Sequence, residues 1–114
     1  MSNFVVLRDG SAIVTKTQPL TINFLLPENT NIASATMIQY RLLHNQAQSV
    51  DFRVTANDGY WEQTNNFQGT SWHTFHNVLK AGAFKKGNNK VTFSISDGIG
   101  DVSVEEVMVL FQQT

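Results

Sequence analysis

The sequence predicts an all-β fold, an antiparallel sandwich or barrel of about eight or nine short strands. Three observations predict it: apolar and polar residues alternate in several segments, Gly, Asn, Asp and Pro separate these segments, and no window of useful length has helical periodicity. Only 15% of the residues are charged, so Asn, Gln, Ser and Thr supply most of the polarity. That composition suits strands and loops better than exposed helices.

One domain is expected to include the whole chain. A length of 114 residues falls near the usual size of a single domain, and a chain of this size hides roughly two thirds of its unfolded surface. No linker and no internal repeat interrupts the sequence. We therefore expect residues 1–114 to form one β-sandwich domain.

Composition and charge exclude several classes of function. Eight Lys and Arg against nine Asp and Glu give a net charge of -1, so the general basic field of a nucleic-acid-binding protein is absent. Cysteine is also absent, which excludes disulfides, thiolate metal sites and a cysteine nucleophile. The apolar run at residues 4–7 is too short for a signal peptide, and no stretch is long enough to cross a bilayer. We expect a soluble protein, either an extracellular module or a cytoplasmic protein, that binds neither nucleic acid nor membranes.

Five predicted strands occupy the first half of the chain: residues 4–7, 11–16, 20–26, 35–43 and 50–56. The dipeptide Asp9-Gly10 is expected to turn the first strand into the second. Val50, Phe52 and Val54 alternate with polar residues, which is typical of a strand with one buried face. We expect the fourth and fifth predicted strands to form an antiparallel hairpin.

The stretch from residue 72 to residue 97 organises the second half of the chain. Val91, Phe93 and Ile95 alternate with hydroxyl residues after a predicted turn at residues 85–89, in which Gly and Asn tolerate positive φ. A further turn at residues 98–100 leads into a last strand rich in Val. In that strand the alternation slips by one residue at Glu105-Glu106, which predicts a β-bulge that keeps Val on the core face on both sides.

Residues 60–71 form the longest segment without periodicity, and the sequence predicts a loop there. Loops of this length in compact domains are uncommon unless they bind something or are disordered. Tyr60, Trp61 and Phe67 argue against disorder, because disordered segments contain few aromatic residues. The segment is therefore a candidate binding loop.

Four segments, taken together, resemble a known family. They read VDFRVTANDG, SWHTF, LKAGAFKKGNNKVTFSI and DVSVEEVMVLFQ, and the similarity extends over about residues 35–113. This succession resembles the galactose-binding-like jelly rolls used as carbohydrate-binding modules and lectin domains. The resemblance implies a jelly-roll sandwich with a non-catalytic, carbohydrate-binding role. The chain departs from the family pattern at Asn57-Asp58-Gly59, where a simple Asn-Gly is usual, and no acidic ligand set for a structural calcium ion carries over.

Aromatic rings bind sugars because the apolar face of a pyranose stacks on a π surface, while amides and carboxylates bind its hydroxyls. Residues of both kinds lie in and around the predicted loop. The candidate ligand-binding residues are Asn57, Asp58, Tyr60, Trp61, Glu62, Asn65, Asn66, Trp72 and His73. For Trp72 there is a competing interpretation, in which a ring at the start of a strand packs into the core.

No catalytic or metal site is predicted. On a strand, His73 and His76 would face opposite sides of the sheet, so they cannot easily bind one metal ion. Glu105 and Glu106 are adjacent and make a poor glycosidase pair. Neither a serine nucleophile elbow nor a phosphate-binding glycine pattern occurs. We therefore expect no enzyme and no cofactor.

Four lysines form a basic patch at positions 80, 85, 86 and 90, which is interpreted as serving solubility and the protection of a sheet edge. Two functions stay open. The first is carbohydrate binding through Tyr60, Trp61 and the polar residues around them. The second is a structural subunit of a phage, capsid or appendage, whose aromatic loop contacts a protein partner. Self-association is compatible with either function.

Overall fold

The chain forms nine β-strands and no helix in a computed structural model, which describes residues 1–114. The strands are β1 (Ser2–Arg8), β2 (Ala12–Val14), β3 (Leu20–Leu26), β4 (Thr36–His44), β5 (Val50–Ala56), β6 (Trp61–Phe67), β7 (His73–Leu79), β8 (Gly87–Gly98) and β9 (Val102–Gln112). This number agrees with the eight or nine strands predicted from the sequence.

The strands form two antiparallel sheets. Sheet A has the order β1-β9-β4-β7, with β2 also paired to β9, and sheet B has the order β3-β8-β5-β6. The long strands β8 and β9, which are consecutive in the chain, therefore lie inside opposite sheets. The predicted fold class, an antiparallel β-sandwich of jelly-roll type, is confirmed.

The core lies between the two sheets and consists of one cluster of 22 buried apolar residues. Ile38, Tyr40 and Leu42 of β4 and Val91 and Phe93 of β8 are completely buried, whereas the residues between them are partly exposed. The period-two alternation read from the sequence thus identifies the inward faces of these strands. Burial of this apolar surface is the main stabilising contribution to the fold.

Two predictions of strand pairing are wrong. β4 pairs with β7 and β9, whereas β5 pairs with β6 and β8 in the other sheet. Alternation indicates which face of a strand is buried, but it does not indicate the partner strand, and the segment at residues 45–49 crosses between the sheets. Similarly, β1 and β2 do not pair with each other: both pair with β9, and Gly10 does not have the positive φ of a tight two-residue hairpin.

The predicted bulge in the last strand is confirmed. Glu106 has a φ of 51°, and the register of β4 against β9 shifts between Gln39 and Arg41. Val104 and Val107 are both fully buried, although three positions separate them. The extra residue therefore keeps Val on the core face on both sides of the bulge.

The predicted loop at residues 60–71 is wrong for most of its length, because Trp61–Phe67 is the strand β6. This strand lies at the edge of sheet B and pairs only with β5. Phe67 is its single buried residue, so an edge strand that is accessible on both faces carries no apolar alternation. The sequence signal was therefore absent even though the backbone is extended.

The turn between β8 and β9 depends on glycines in the left-handed region. Gly98 has a φ of 105° and Gly100 a φ of 95°. A Cβ on Gly98 would lie 2.9 Å from the carbonyl oxygen of Ser49 and 2.9 Å from the Cα of Val50. Backbone atoms thus leave no room for a side chain at the point where the chain passes from one sheet to the other.

We predict that Gly98→Ala lowers the free energy of unfolding by roughly 1–3 kcal/mol, since a strained φ and a backbone contact act together. Urea denaturation of both proteins measures the difference. Gly10→Ala is the matched control, because a Cβ there meets nothing within 4 Å. Equal destabilisation by the two substitutions would contradict this account of the turn.

Candidate functional site

The hairpin between β5 and β6 contains the first of the predicted site residues. Asn57 and Asp58 have φ values of 50° and 58° there. The carboxamide of Asn57 donates to the carbonyl of Ala83 (2.8 Å) and to Oδ1 of Asn89 (3.0 Å), and it accepts from the backbone N–H of Lys90 (2.8 Å). These three bonds use the group internally, so Asn57 has a structural role.

Tyr60 and Trp61 lie next to each other but in different surroundings. Tyr60 is 56% exposed, and Nζ of Lys80 lies 4.6 Å from the centroid of its ring, a cation–π contact. Trp61 is partly buried and packs against the core cluster. Only Tyr60 of this pair presents a largely exposed ring.

Two predicted polar residues of β6 lie on the outer face of sheet B, where each has a partner on β5. Oε1 of Glu62 lies 2.9 Å from Nε of Arg53, and the two exposed side chains form an ion pair. The alignment of these two atoms is not that of a hydrogen bond. Asn66 donates to Oδ1 of Asp51 over 2.7 Å. Exposed pairs of this kind contribute little to stability.

Asn65 lies on the inward side of β6 and belongs to a different network. Its Nδ2 donates to the hydroxyl of Tyr40 (3.1 Å), which in turn donates to Oδ1 of Asn77 on β7 (2.5 Å). Burial raises the pKa of Tyr40 above its ordinary value, and the hydrogen bond from Asn65 acts in the lowering direction. The residues proposed as one contact surface are thus divided between the two faces of an edge strand.

Trp72 lies on the outer side of sheet A. It is partly exposed and is absent from the core cluster, so the interpretation that it packs into the core is wrong. The guanidinium of Arg41 lies 5.4 Å from the centroid of the indole. Arg41 also contacts Glu105 (2.8 Å) and Glu106 (3.7 Å), which the bulge brings to the same side. Cation–π contact and ion pairs together hold Arg41 beneath the ring.

The outer surface of sheet A around Trp72 is polar. Gln39 is opposite His76 in the pairing of β4 with β7, and Arg41 is opposite Thr74. We call this surface the Trp72 face: Gln39, Arg41, Trp72, Thr74, His76, Glu105 and Glu106. His73 is opposite the buried Leu42 and therefore lies on the other side of β7, as predicted from its spacing to His76.

An apolar row crosses sheet A beside the Trp72 face. In the strand register Phe4 is opposite Leu110, Leu110 is opposite Met37, and Met37 is opposite Val78. Phe4 is 59% exposed and Val78 67% exposed. Met37, Val78 and Leu110 also line a recess of about 250 Å³. We call these four residues the apolar row.

Sequence reasoning identified Trp72 as a candidate site residue, but it missed the polar residues that surround Trp72 on this face. The alternation of β4 places Gln39 and Arg41 outward, but it does not show that β7 and the bulge of β9 lie on either side. No group of three or more His, Cys, Asp or Glu side chains is arranged to hold a metal ion. No helix in the structure is long and apolar enough to span a membrane.

No protein-family model matches the chain, and no curated protein matches it. Solved structures match it at low identity. The dimeric latent PorU from Porphyromonas gingivalis matches 98% of this chain with a TM-score of 0.71 at 8% identity. The chain corresponds to only 13% of the length of that PorU chain.

Two carbohydrate-binding modules match over almost their whole length. A family 35 carbohydrate-binding module from Clostridium thermocellum has a TM-score of 0.60 and 12% identity, with 94% of this chain and 97% of the module covered. The module CBM36, in complex with calcium and xylotriose, also has a TM-score of 0.60 and 12% identity, with 96% and 99% covered. The chain therefore has the jelly-roll fold of carbohydrate-binding modules.

We predict that Tyr40→Phe lowers the free energy of unfolding by about 1–3 kcal/mol near neutral pH, because it removes the buried hydroxyl that joins Asn65 and Asn77. The raised pKa makes this contribution pH-dependent: it is complete below the unfolded-state pKa of about 10 and declines as the pH rises above it.

Urea denaturation of the wild type and of Tyr40→Phe, followed from neutral to alkaline pH, measures this contribution. The difference between the two proteins should shrink as the solution becomes alkaline. Tyr60→Phe is the control, because Tyr60 is exposed. A difference that grows with pH would contradict the assigned direction of the shift.

Proposed function

We propose that this chain is a non-catalytic carbohydrate-binding domain and that the Trp72 face is its binding surface. The observation that carries the proposal is the partly exposed indole of Trp72, held against Arg41 beside a polar sheet surface. An apolar ring surrounded by hydrogen-bonding groups matches the chemistry of a pyranose, which has an apolar face and a polar rim.

The groups around the indole supply both donors and acceptors. Gln39 and His76 lie side by side on neighbouring strands, and Thr74 lies beside Arg41. The carboxylate of Glu106 is the more exposed of the two that contact Arg41, with 50% against 20% for Glu105. Glu106 is therefore available to accept bonds from hydroxyls while Glu105 holds Arg41.

The arrangement is preorganised before any ligand binds. Arg41 has its guanidinium fixed by a carboxylate on β9 and by the ring of Trp72. A site whose side chains are already ordered loses less conformational entropy on binding, so more of the contact energy remains as affinity. The shared fold with carbohydrate-binding modules, one of them solved with xylotriose, supports this choice of ligand class.

No catalytic role is included in the proposal. Glu105 and Glu106 both form ion pairs with Arg41, so we assign neither of them the role of a catalytic acid or base. The two acidic residues among the candidate ligand-binding residues are also paired: Asp58 contacts Lys90, and Glu62 contacts Arg53. These pairings support binding without bond cleavage.

We predict that Trp72→Ala weakens the binding of neutral oligosaccharides at least about tenfold, equivalent to about 1.4 kcal/mol, because the stacking surface is removed. The melting temperature should change little, since Trp72 lies outside the core. Isothermal titration with xylose, glucose, mannose and galactose oligomers measures the affinity.

Tyr60→Ala is the matched variant, because it removes the exposed ring that the sequence favoured. If Tyr60→Ala lost binding and Trp72→Ala retained it, the binding site would lie at the hairpin between β5 and β6 and not on the Trp72 face. A wild-type protein that releases no heat with any of these oligosaccharides would overturn the proposed function.

A second candidate function rests on the apolar row. Phe4 and Val78 of this row are exposed and Met37 and Leu110 are half-buried. A continuous apolar line of this kind across a sheet is typical of a surface that contacts protein. We propose that copies of the chain associate through this row. The structural-subunit hypothesis drawn from the sequence placed the protein contact in the aromatic segment at residues 60–71 instead. The row is separate from the indole of Trp72, so the two functions are tested independently.

We predict that the double variant Phe4→Ser and Val78→Ser lowers the molar mass measured by light scattering, because it removes the two most exposed side chains of the row. Ile99→Ser is the control, since Ile99 is 63% exposed in the turn between β8 and β9. A wild-type chain that is monomeric at every concentration would contradict this second candidate.

A further inference from the structure

A second polar surface lies on the other side of the molecule, on sheet B. It is a recess of about 260 Å³ at the end where β8 begins, and no hydrophobic residue lines it. We call it the lysine recess, and its lining residues are Asn23, Asn57, Asp58, Lys85, Asn88, Asn89 and Lys90. The Trp72 face lies on sheet A, so the two surfaces share no residue.

Lys90 does not have the edge-protecting role inferred from the sequence. Lys90 lies on β8, which has β3 on one side and β5 on the other, so it cannot protect a sheet edge. Lys85 precedes β8 in the connection from β7. Solubility alone does not require two lysines in one concave site.

The recess is a local excess of positive charge on a chain whose net charge is -1. Four of the eight Lys and Arg residues of the chain lie between positions 80 and 90, and no acidic residue lies in that segment. Lys90 forms an ion pair of 2.8 Å with Asp58, whereas Lys85 has no carboxylate within salt-bridge distance. Two lysines and one aspartate therefore leave the lining with a net charge of about +1.

Two amide side chains hold the backbone of both lysines. Asn89 is 4% exposed, accepts from the N–H of Lys85 (2.9 Å) and donates to the carbonyl of Lys85 (2.7 Å). Asn57 accepts from the N–H of Lys90 (2.8 Å), and the backbone N–H of Asn57 donates to the carbonyl of Lys90 (2.8 Å). Because Asn57 and Asn89 also bond to each other, the two lysine backbones are fixed relative to one another.

Two further amides remain for a ligand. Asn23 on β3 and Asn88 on β8 are exposed, and neither side chain has a hydrogen-bond partner within the protein. Each offers one acceptor and two donors, which suits hydroxyl groups. The recess is somewhat smaller than the roughly 300–1,000 Å³ of sites for drug-sized ligands, so one sugar ring suits it better than a chain of several.

We propose that the lysine recess binds an acidic sugar residue, with its anionic group between the ammonium groups of Lys85 and Lys90. Asn23 and Asn88 bond the ring hydroxyls. Asp58 keeps Lys90 in place through its ion pair. The anion is the carboxylate of a uronic acid or the ester of a sulfated sugar, since the lysines recognise the charge common to both.

The proposal goes beyond the function of the Trp72 face and does not depend on it. The test is isothermal titration with a galacturonic acid oligomer, a sulfated galactose oligomer and a neutral galactose oligomer. Binding of either acidic oligomer supports the site, and the stronger of the two identifies the anionic group. Because attraction between exposed charges is screened by salt, the affinity should fall as ionic strength rises.

Lys85→Gln should weaken acidic-oligomer binding at least about tenfold while leaving neutral-oligomer binding unchanged. Asn88→Ala should weaken the same binding, because it removes a hydroxyl contact without changing charge. The control is Lys16→Gln, which changes the net charge by the same amount at an exposed lysine outside the recess. Trp72→Ala should leave acidic-oligomer binding intact, which separates this site from the proposed function.

Three outcomes would overturn the proposal. The first is equal affinity of the Trp72→Ala variant for acidic and neutral oligomers, and the second is equal weakening of acidic-oligomer binding by Lys16→Gln and Lys85→Gln. The third is binding of inorganic polyphosphate as tight as that of the acidic oligomers with no effect of Asn88→Ala, since it would indicate charge attraction without recognition of a sugar. Far-UV circular dichroism checks that each variant is folded, and Lys85 is exposed, so its substitution disturbs no packing.

Discussion

The fold depends on one constraint: the two longest strands, β8 and β9, follow one another in the chain but lie inside opposite sheets. The turn at Gly98 and Gly100 makes this crossing possible, because both residues adopt φ values that a side chain disfavours. β3 and β5 then pair with β8, while β1, β2 and β4 pair with β9. Apolar residues of both long strands meet between the sheets, and the remaining strands cover the rest of that core.

Buried polar groups add specificity to this apolar interior. On one side of the sandwich, the hydroxyl of Tyr40 joins Asn65 of β6 to Asn77 of β7, which are the edge strands of the two sheets. At the start of β8, Asn57 and Asn89 join the hairpin of β5 and β6 to the connection before β8. Asn89 is buried, and a buried amide is costly unless its bonds are complete, so the second network favours one arrangement of the loops it holds.

The two outer faces of the sandwich differ because each is built from the residues that alternate with the core. Sheet A presents the indole of Trp72, the charged group around Arg41 and the apolar row. Sheet B presents hydroxyl, amide and lysine side chains and no large aromatic ring in its recess. An aromatic surface suits the apolar face of a neutral sugar, whereas a lysine-lined recess suits an anionic one. The proposals assign these two chemistries to separate faces, so a single chain would recognise two features of a glycan.

The sequence by itself determined the all-β class, the inward faces of the alternating strands and the bulge at Glu106, because alternation and its interruption are local properties of a strand. It did not reveal β6, since an edge strand exposed on both faces has no reason to alternate. Only the tertiary structure decided the partners of β4 and β5, the outward position of Trp72 against Arg41 and the meeting of Lys85 with Lys90. Pairing joins residues far apart in the chain, and a period of two records which side of a strand is buried but not which strand lies beside it.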